Sequence, residues 1–193
     1  MMKLIRAWMR IPFFLFPLSV FAVAGCNSGP GSLMLRPANQ KIAYAKTFER
    51  AYAGHTADGS CAYVLVSDTA PKNEPMRQLV YVKLHWRPMS GTRDSVAANA
   101  CIDWYVMGDA GSDDLLLYQG AATVTIDPGD KATRVTIRSG ELKPSVTRGN
   151  LSDPLGSARV SGTFVAINNN ARVHALLDSI RARIAAVTTA SGQ

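Results

Sequence analysis

The strongest constraint on the fold is a two-residue apolar periodicity that recurs along the chain and is broken each time by glycine or proline. It is clearest in LVYVKLHWR, residues 79–87, where Val80, Val82, Leu84 and Trp86 alternate with Tyr81, Lys83, His85 and Arg87. Successive side chains of an extended strand point to opposite faces, so this run has one face for a core and one for water. Comparable runs are CAYVLVS from 61, ACIDWYVMG from 100, LLLYQGAATVTI from 115, TRVTIRS from 133 and ARVSGTFVAI from 158. Asp58-Gly59, Pro88 to Gly91, Pro128-Gly129 and Gly149 to Pro154 punctuate the gaps with residues that favour tight turns. Consecutive strands joined by short turns predict a mainly β (α+β) domain, an antiparallel meander or sandwich. Gly120, inside its run, marks a bulge or bend.

Two segments read differently. After Asn168, Asn169 and Asn170, the residues Val173, Leu176, Leu177, Ile180 and Ile184 form one stripe at helical spacing, and asparagine is a good N-cap. This predicts one C-terminal amphipathic helix of about four turns. Packed on the sheet, its stripe is buried; lying on a membrane, it would turn Arg172, Arg181 and Arg183 to headgroups. Residues 38–53 are ambiguous, because Tyr44, Phe48 and Tyr52 recur at helical spacing while Asp58-Gly59 invites a hairpin between TFERAYAG and CAYVLVS. The hairpin is favoured.

The N-terminus carries Lys3, Arg6 and Arg10 without an acid, followed by 14 uncharged residues from 11 to 24 interrupted by Pro12 and Pro17. A spanning helix needs about 20 apolar residues, so this is the basic and apolar part of an export signal rather than a membrane span. Val23-Ala24-Gly25-Cys26 at its end resembles the lipobox of bacterial lipoproteins; Ala22-Val23-Ala24 also fits the small-residue site of ordinary secretion. The lipobox resemblance covers the first 26 residues and implies cleavage before Cys26, with the Cys26 sulfur carrying a diacylglycerol. At about 0.8 kcal/mol per buried CH₂, two or three acyl chains hold a protein stably on a bilayer. The expected organisation is a signal at 1–25, a lipidated Cys26 with a flexible tether at 26–40, one β-rich domain with its helix at 41–187, and a disordered tail at 188–193. Asn27 is not the aspartate that retains enteric lipoproteins in the inner membrane, so the outer membrane is expected in a two-membrane organism.

With Cys26 assigned to lipid, Cys61 and Cys101 remain as a pair in an oxidising compartment, and a disulfide is expected between them. Cys61, Trp86 and Cys101 bring immunoglobulin-like domains to mind, but there the tryptophan follows the first cysteine more closely, and the match is not drawn. The chain has 21 basic and 14 acidic residues, a net +7 that falls by three when the signal leaves. Its remaining Lys and Arg are dispersed and no RNA-binding aromatic signature accompanies them, which argues against nucleic acid.

Catalytic and cofactor signatures are absent from the sequence: there is no G-x-S-x-G, no H-E-x-x-H, no phosphate loop and no dinucleotide fingerprint. No cofactor and no metal site is therefore expected, since His55, His85 and His174 lie far apart. Asp127-Pro128-Gly129-Asp130 reads as a hairpin turn rather than a calcium loop, and Asp113-Asp114 as a solvated loop. The surface singled out is the row Tyr81, Lys83, His85 and Arg87, whose members would stand about 7 Å apart on one strand face. The expected function is that of a non-catalytic envelope lipoprotein that binds a partner protein or anionic polymer or helps an assembly. A carrier or sensor for an apolar ligand held between sheet and helix is the alternative.

Overall fold

The computed structural model describes residues 30–68, 77–85, 98–108 and 112–190, which form nine strands and one helix. In chain order these are β1 (Gly31–Pro37), β2 (Tyr44–Phe48), β3 (Arg50–His55), β4 (Cys61–Ser67), β5 (Arg77–Leu84), β6 (Ala98–Met107), β7 (Leu115–Pro128), β8 (Ala132–Arg148), β9 (Ala158–Asn168) and α1 (Asn170–Ala190). Strands β3 to β9 are antiparallel neighbours in sequence order, as the short turns predicted. The sheet does not stay open, however, and it does not fold into two layers. Strand β9 returns to β3 through Tyr52↔Ile167 and Ala53↔Asn168 and closes a seven-stranded barrel. In an up-and-down run of seven strands the first and last point the same way, so this closing pair has to be parallel, and it is.

The expected tether also folds. Strand β1 occupies residues 31–37, bonded to β9 from Gly31↔Phe164 to Pro37↔Ala158 on one edge and to β2 on the other. It lies between β9 and the nearly continuous β2–β3 segment, and its Leu33 and Leu35 are buried in the barrel with Phe48. At the other end, residues expected in a tail from 188 onward continue the helix to Ala190.

Alternation decides which side chains go inside. Val80, Val82 and Leu84 of β5, Ala100, Ile102 and Trp104 of β6, and Val124 and Ile126 of β7 join one interior cluster. Phe48 and Trp104 pack with ring centroids 5.6 Å apart and Tyr63 meets Phe164 edge-on at 6.3 Å, so large rings fill the middle. The 149–157 loop covers an end of the barrel, with Leu151 and Leu155 against the core. There the buried Tyr118 hydroxyl donates to Asp153, which also accepts from the Leu155 and Gly156 amides at 3.0 and 2.8 Å. Burial pushes the Asp153 carboxyl up, but these three hydrogen bonds outweigh it and hold the pKa below its ordinary value.

A second cluster lies outside the barrel wall. Ala62, Val64 and Val66 of β4, Leu79 of β5, and Tyr105 and Met107 of β6 face outward, yet they are buried because α1 covers them with Val173, Leu176, Leu177 and Ile180. This explains why all seven residues of β4 are buried: one face meets the barrel core, the other the helix. The helix is fixed at its start. Asn169 Oδ1 accepts from the Arg172 amide at 2.9 Å as an N-cap, and Asn170 Oδ1 accepts from the His55 amide at 2.7 Å. Gly54 makes room, since a side chain there would run into Asn170 and Val173. The apolar stripe is thus spent on the barrel. Arg172 lies over the Tyr52 ring, Arg181 pairs with Asp178, and Arg183 donates to the Gly108 and Ser112 carbonyls. No helix among the described residues is long and apolar enough to cross a membrane.

Of the expected turns, Pro88 to Gly91 lies outside the described residues. Asp58-Gly59 turns the β3–β4 hairpin, with Gly59 at φ +78°. The 127–130 segment is the β7–β8 turn, clasped by Asn168 Nδ2 donating to the Gly129 and Asp130 carbonyls. Asp114 is more than a solvated loop residue, because its carboxylate accepts from the Asn150 amide at 2.8 Å and ties two loops together.

Candidate functional site

Cys61 and Cys101 are not joined, which corrects the expected disulfide. Pairing runs Ala62↔Lys83↔Cys101, so β5 lies between the two cysteine strands and separates them by about 10 Å, beyond the Cα reach of a disulfide. Parity also forbids the bond. Cys61 belongs to the interior cluster beside Tyr63, while Cys101 alternates with the buried Ala100 and Ile102 and faces outward. Each thiol instead neighbours a histidine: Cys61 Sγ lies 3.7 Å from His55 Nδ1, and Cys101 Sγ lies 3.3 Å from His85 Nε2. The lipidation residue Cys26 and the row's last member, Arg87, lie outside the described residues.

Tyr81, Lys83 and His85 do share the outer face of β5, but they do not form an open strip. Tyr81 is half-buried against the helix cluster, and burial, with the nearby Asp103 carboxylate adding to it, pushes its phenol up to about 12. Lys83 reaches across β4 to Asp58 at 2.6 Å. That bond, with those from Thr56 and Ser60, holds the Asp58 carboxyl well below the usual carboxylate range. His85 is exposed and sits beside Cys101. The row therefore contributes a covered ring, a lysine already paired and one available imidazole.

That imidazole lies on the rim of a different feature. Away from the helix, the outer face of β1, β9, β8 and β7 bends into an open cleft of about 1010 Å³. Its concavity comes from the strands themselves. The register of β8 shifts against β7 between Leu117 and Tyr118 and between Thr123 and Val124, and against β9 between Ile137 and Gly140. Bulges of this kind bend a strand and raise its twist. The floor is small: Gly120, Ala121, Ala122, Ser139 and Gly140. At Gly120 a Cβ would overlap the Glu141 carbonyl oxygen, so the close approach of β7 and β8 requires glycine there.

Four cations line this cleft, namely Arg36, Arg138, Lys143 and Arg159, with Glu141 as its acid. Arg36 and Arg159 are direct cross-strand partners on the same outer face. Such positions bring Cβ atoms within about 5 Å, and like charges there repel. Among the described residues no carboxylate forms an ion pair with any of the four. Arg138 donates Nε to Thr125 Oγ1 at 2.6 Å, which holds its stem against β7. Gln119 is likewise held, donating to Asp103 at 3.0 Å and accepting from Ser145 at 2.7 Å. Chemically, the arrangement is a groove of preset positive charge with neutral hydrogen-bonding side chains between the charges.

Sequence reasoning missed this site because its cations come from positions 36, 138, 143 and 159. A signal did exist: Arg36 stands between Leu35 and Pro37, and Arg159 between Ala158 and Val160, each at the polar parity of an alternating run. No protein-family model, curated protein or solved structure matches the chain. Among the described residues, no group of three or more His, Cys, Asp or Glu is placed to hold a metal ion.

Proposed function

We propose that this protein is a lipid-anchored, non-catalytic binding protein of the bacterial cell envelope that meets its partner through the outer wall of its barrel. The observation that carries the binding half is the basic cleft, whose four cations have no ion-pair partner among the described residues although two of them face each other across strands. The anchoring half rests on Cys26 at the end of an export signal. An outer-membrane location follows from Asn27 if the organism has two membranes.

The apolar-carrier alternative has less to recommend it. Trp104, Tyr118, Phe48 and Phe164 occupy the interior with at most 2 % exposure, and α1 packs directly on β4. An apolar guest would have to displace that core.

The fold also shortens the tether. Gly31 already pairs with Phe164, so four residues lie between Cys26 and β1, five Cα steps with a reach of at most about 18 Å. The barrel would ride close to the lipid with the Gly31 end of β1 nearest to it. Cys26→Ser replaces the sulfur that must carry the diacylglycerol, and metabolic labelling with a fatty acid should then fall to background. Labelling that persists in the variant would remove the anchor from this reading.

A further inference from the structure

We infer that the cleft between β1 and β7 is a binding site for an anionic glycan, an extended saccharide chain bearing phosphate or carboxylate groups. The inference rests on the envelope binding role proposed above and names its ligand class.

The positive charge comes first. Arg36, Arg138 and Arg159 each present a planar guanidinium, whose fork of donors matches the two oxygens of a carboxylate or phosphate, and Lys143 adds a point charge. The Arg36–Arg159 pair is the most telling. Two like charges at facing positions of neighbouring strands cost stability, and an anion seated between them turns that cost into attraction. Glu141 follows Arg159 across the sheet in register, so the charge is broken at one point and the groove does not favour a uniform block of negative charge.

Shape narrows the class. From β1 to β6 the row Arg36, Arg159, Glu141, Ala121 and Cys101 crosses four strand spacings, about 19 Å, longer than one phosphate or one sugar. The floor of Gly120, Ala121 and Gly140 lies below the flanking side chains, where a flat bilayer surface cannot reach and a thread-like chain can. Arg36 also stands five residues along β1 from Gly31, about 17 Å from the end of the strand that the proposed anchor would tether.

Side-chain chemistry narrows it again. Gln119, Thr123, Ser139 and Ser161 line the groove between the cations and offer both donors and acceptors, as sugar hydroxyls require. Single-stranded nucleic acid would call for aromatic platforms on which bases stack, and the lining holds no Phe, Tyr or Trp.

The test is equilibrium binding of the full chain, purified in a non-ionic detergent, to three oligosaccharides of about eight sugars: oligogalacturonate, a phosphorylated mannan fragment and neutral maltooctaose. Vesicles of phosphatidylglycerol and inorganic phosphate are run beside them. Binding of at least one charged oligosaccharide, no binding of the neutral one, and weakening as salt is raised are expected. The double variant Arg36→Gln, Arg159→Gln should weaken binding about tenfold or more, as loss of charged hydrogen bonds implies. The variant Lys131→Gln, Arg181→Gln removes two exposed charges outside the cleft and should leave binding within about twofold, since exposed substitutions there disturb little. Equal losses in the two variants would show an unspecific charge effect and overturn the inference. So would binding to phosphatidylglycerol vesicles or inorganic phosphate with none to the oligosaccharides. Fatty-acid labelling of the same preparation separates the two readings: labelled protein that ignores every oligosaccharide ends the glycan site alone, and unlabelled protein that binds ends the anchor alone.

Discussion

Leu176→Ala should destabilise the protein sharply, because the outer surface of β4 is dry only where α1 covers it. Leu176 is 4 % exposed and packs with Val173, Leu177 and Ile180 over Ala62, Val64 and Val66. Truncating a buried leucine to alanine costs about 2–5 kcal/mol, part lost transfer energy and part cavity. For a chain of this size each kcal/mol shifts the melting temperature by about 2–4 °C, so a fall on the order of 10 °C is expected by circular dichroism in non-ionic detergent. Burial of the four helix side chains together contributes roughly 6–12 kcal/mol as an upper estimate, comparable to the whole stability of an ordinary domain. The helix is therefore part of the folding unit. Arg181→Ala is the control: its side chain is 70 % exposed and its pair with Asp178 is a surface one, so the melting temperature should move by less than about 2 °C. If Leu176→Ala melts like the control while partitioning less onto anionic vesicles, the helix lies on membrane and its packing on the barrel is wrong.

Two further outcomes follow from the same geometry. Thiol titration of the unreduced protein should find both Cys61 and Cys101 reactive once unfolded, with Cys101 labelled rapidly in the folded state and the buried Cys61 only on unfolding; a thiol count that rises only after reductant would restore the disulfide. Burial raises the phenols of Tyr63, Tyr81, Tyr105 and Tyr118 above the ordinary tyrosine value, Tyr81 to about 12. Their folded pKa values exceed the unfolded value of about 10, so this stability is complete below pH 10 and is lost as pH rises from 10 through 12. Tyrosinate absorbance should accordingly rise together with unfolding, and four phenols titrating near pH 10 in the folded protein would contradict their burial.

The parity of the strands was legible from the sequence because it is local. Val80, Val82 and Leu84 point inward and Tyr81 and Lys83 outward, as alternation required, and the helix stripe from Val173 to Ile180 is buried as its spacing required. Closure was not legible, since it rests on two residue pairs between β3 and β9, more than 110 positions apart. Strand β1 was hidden for another reason: its Leu33 and Leu35 alternate properly, but Gly29, Pro30 and Pro37 flank them and read as linker composition. The disulfide expectation failed on the very parity that served elsewhere. Counting cysteines says how many could pair, whereas Ala62↔Lys83↔Cys101 says which faces they occupy. The open strip on β5 failed because what covers Tyr81 comes from α1, and what occupies Lys83 from the turn at Asp58.

Several departures from what a strand favours meet at or beside the cleft. Gly120 and Gly140 stand inside β7 and β8, where glycine loses the most conformational freedom, and Pro144 takes a ladder position next to a register shift, where it can donate no hydrogen bond. Arg36 faces Arg159 on the adjoining strand. Each departure costs stability locally, whereas β4, β5 and β6 pair without a register shift and have inward faces of ordinary size. The costs also share a direction, because a small floor, bent strands and four cations against one carboxylate together make a concave, positive surface and would individually make nothing. Local rules broken together at one place are what the proposed binding role would require of this surface. The filled interior lets the protein bear this. With Trp104, Phe48 and Phe164 holding the core and α1 sealing the far wall, the outer face of β1, β9, β8 and β7 can bend and gather like charges without opening the barrel.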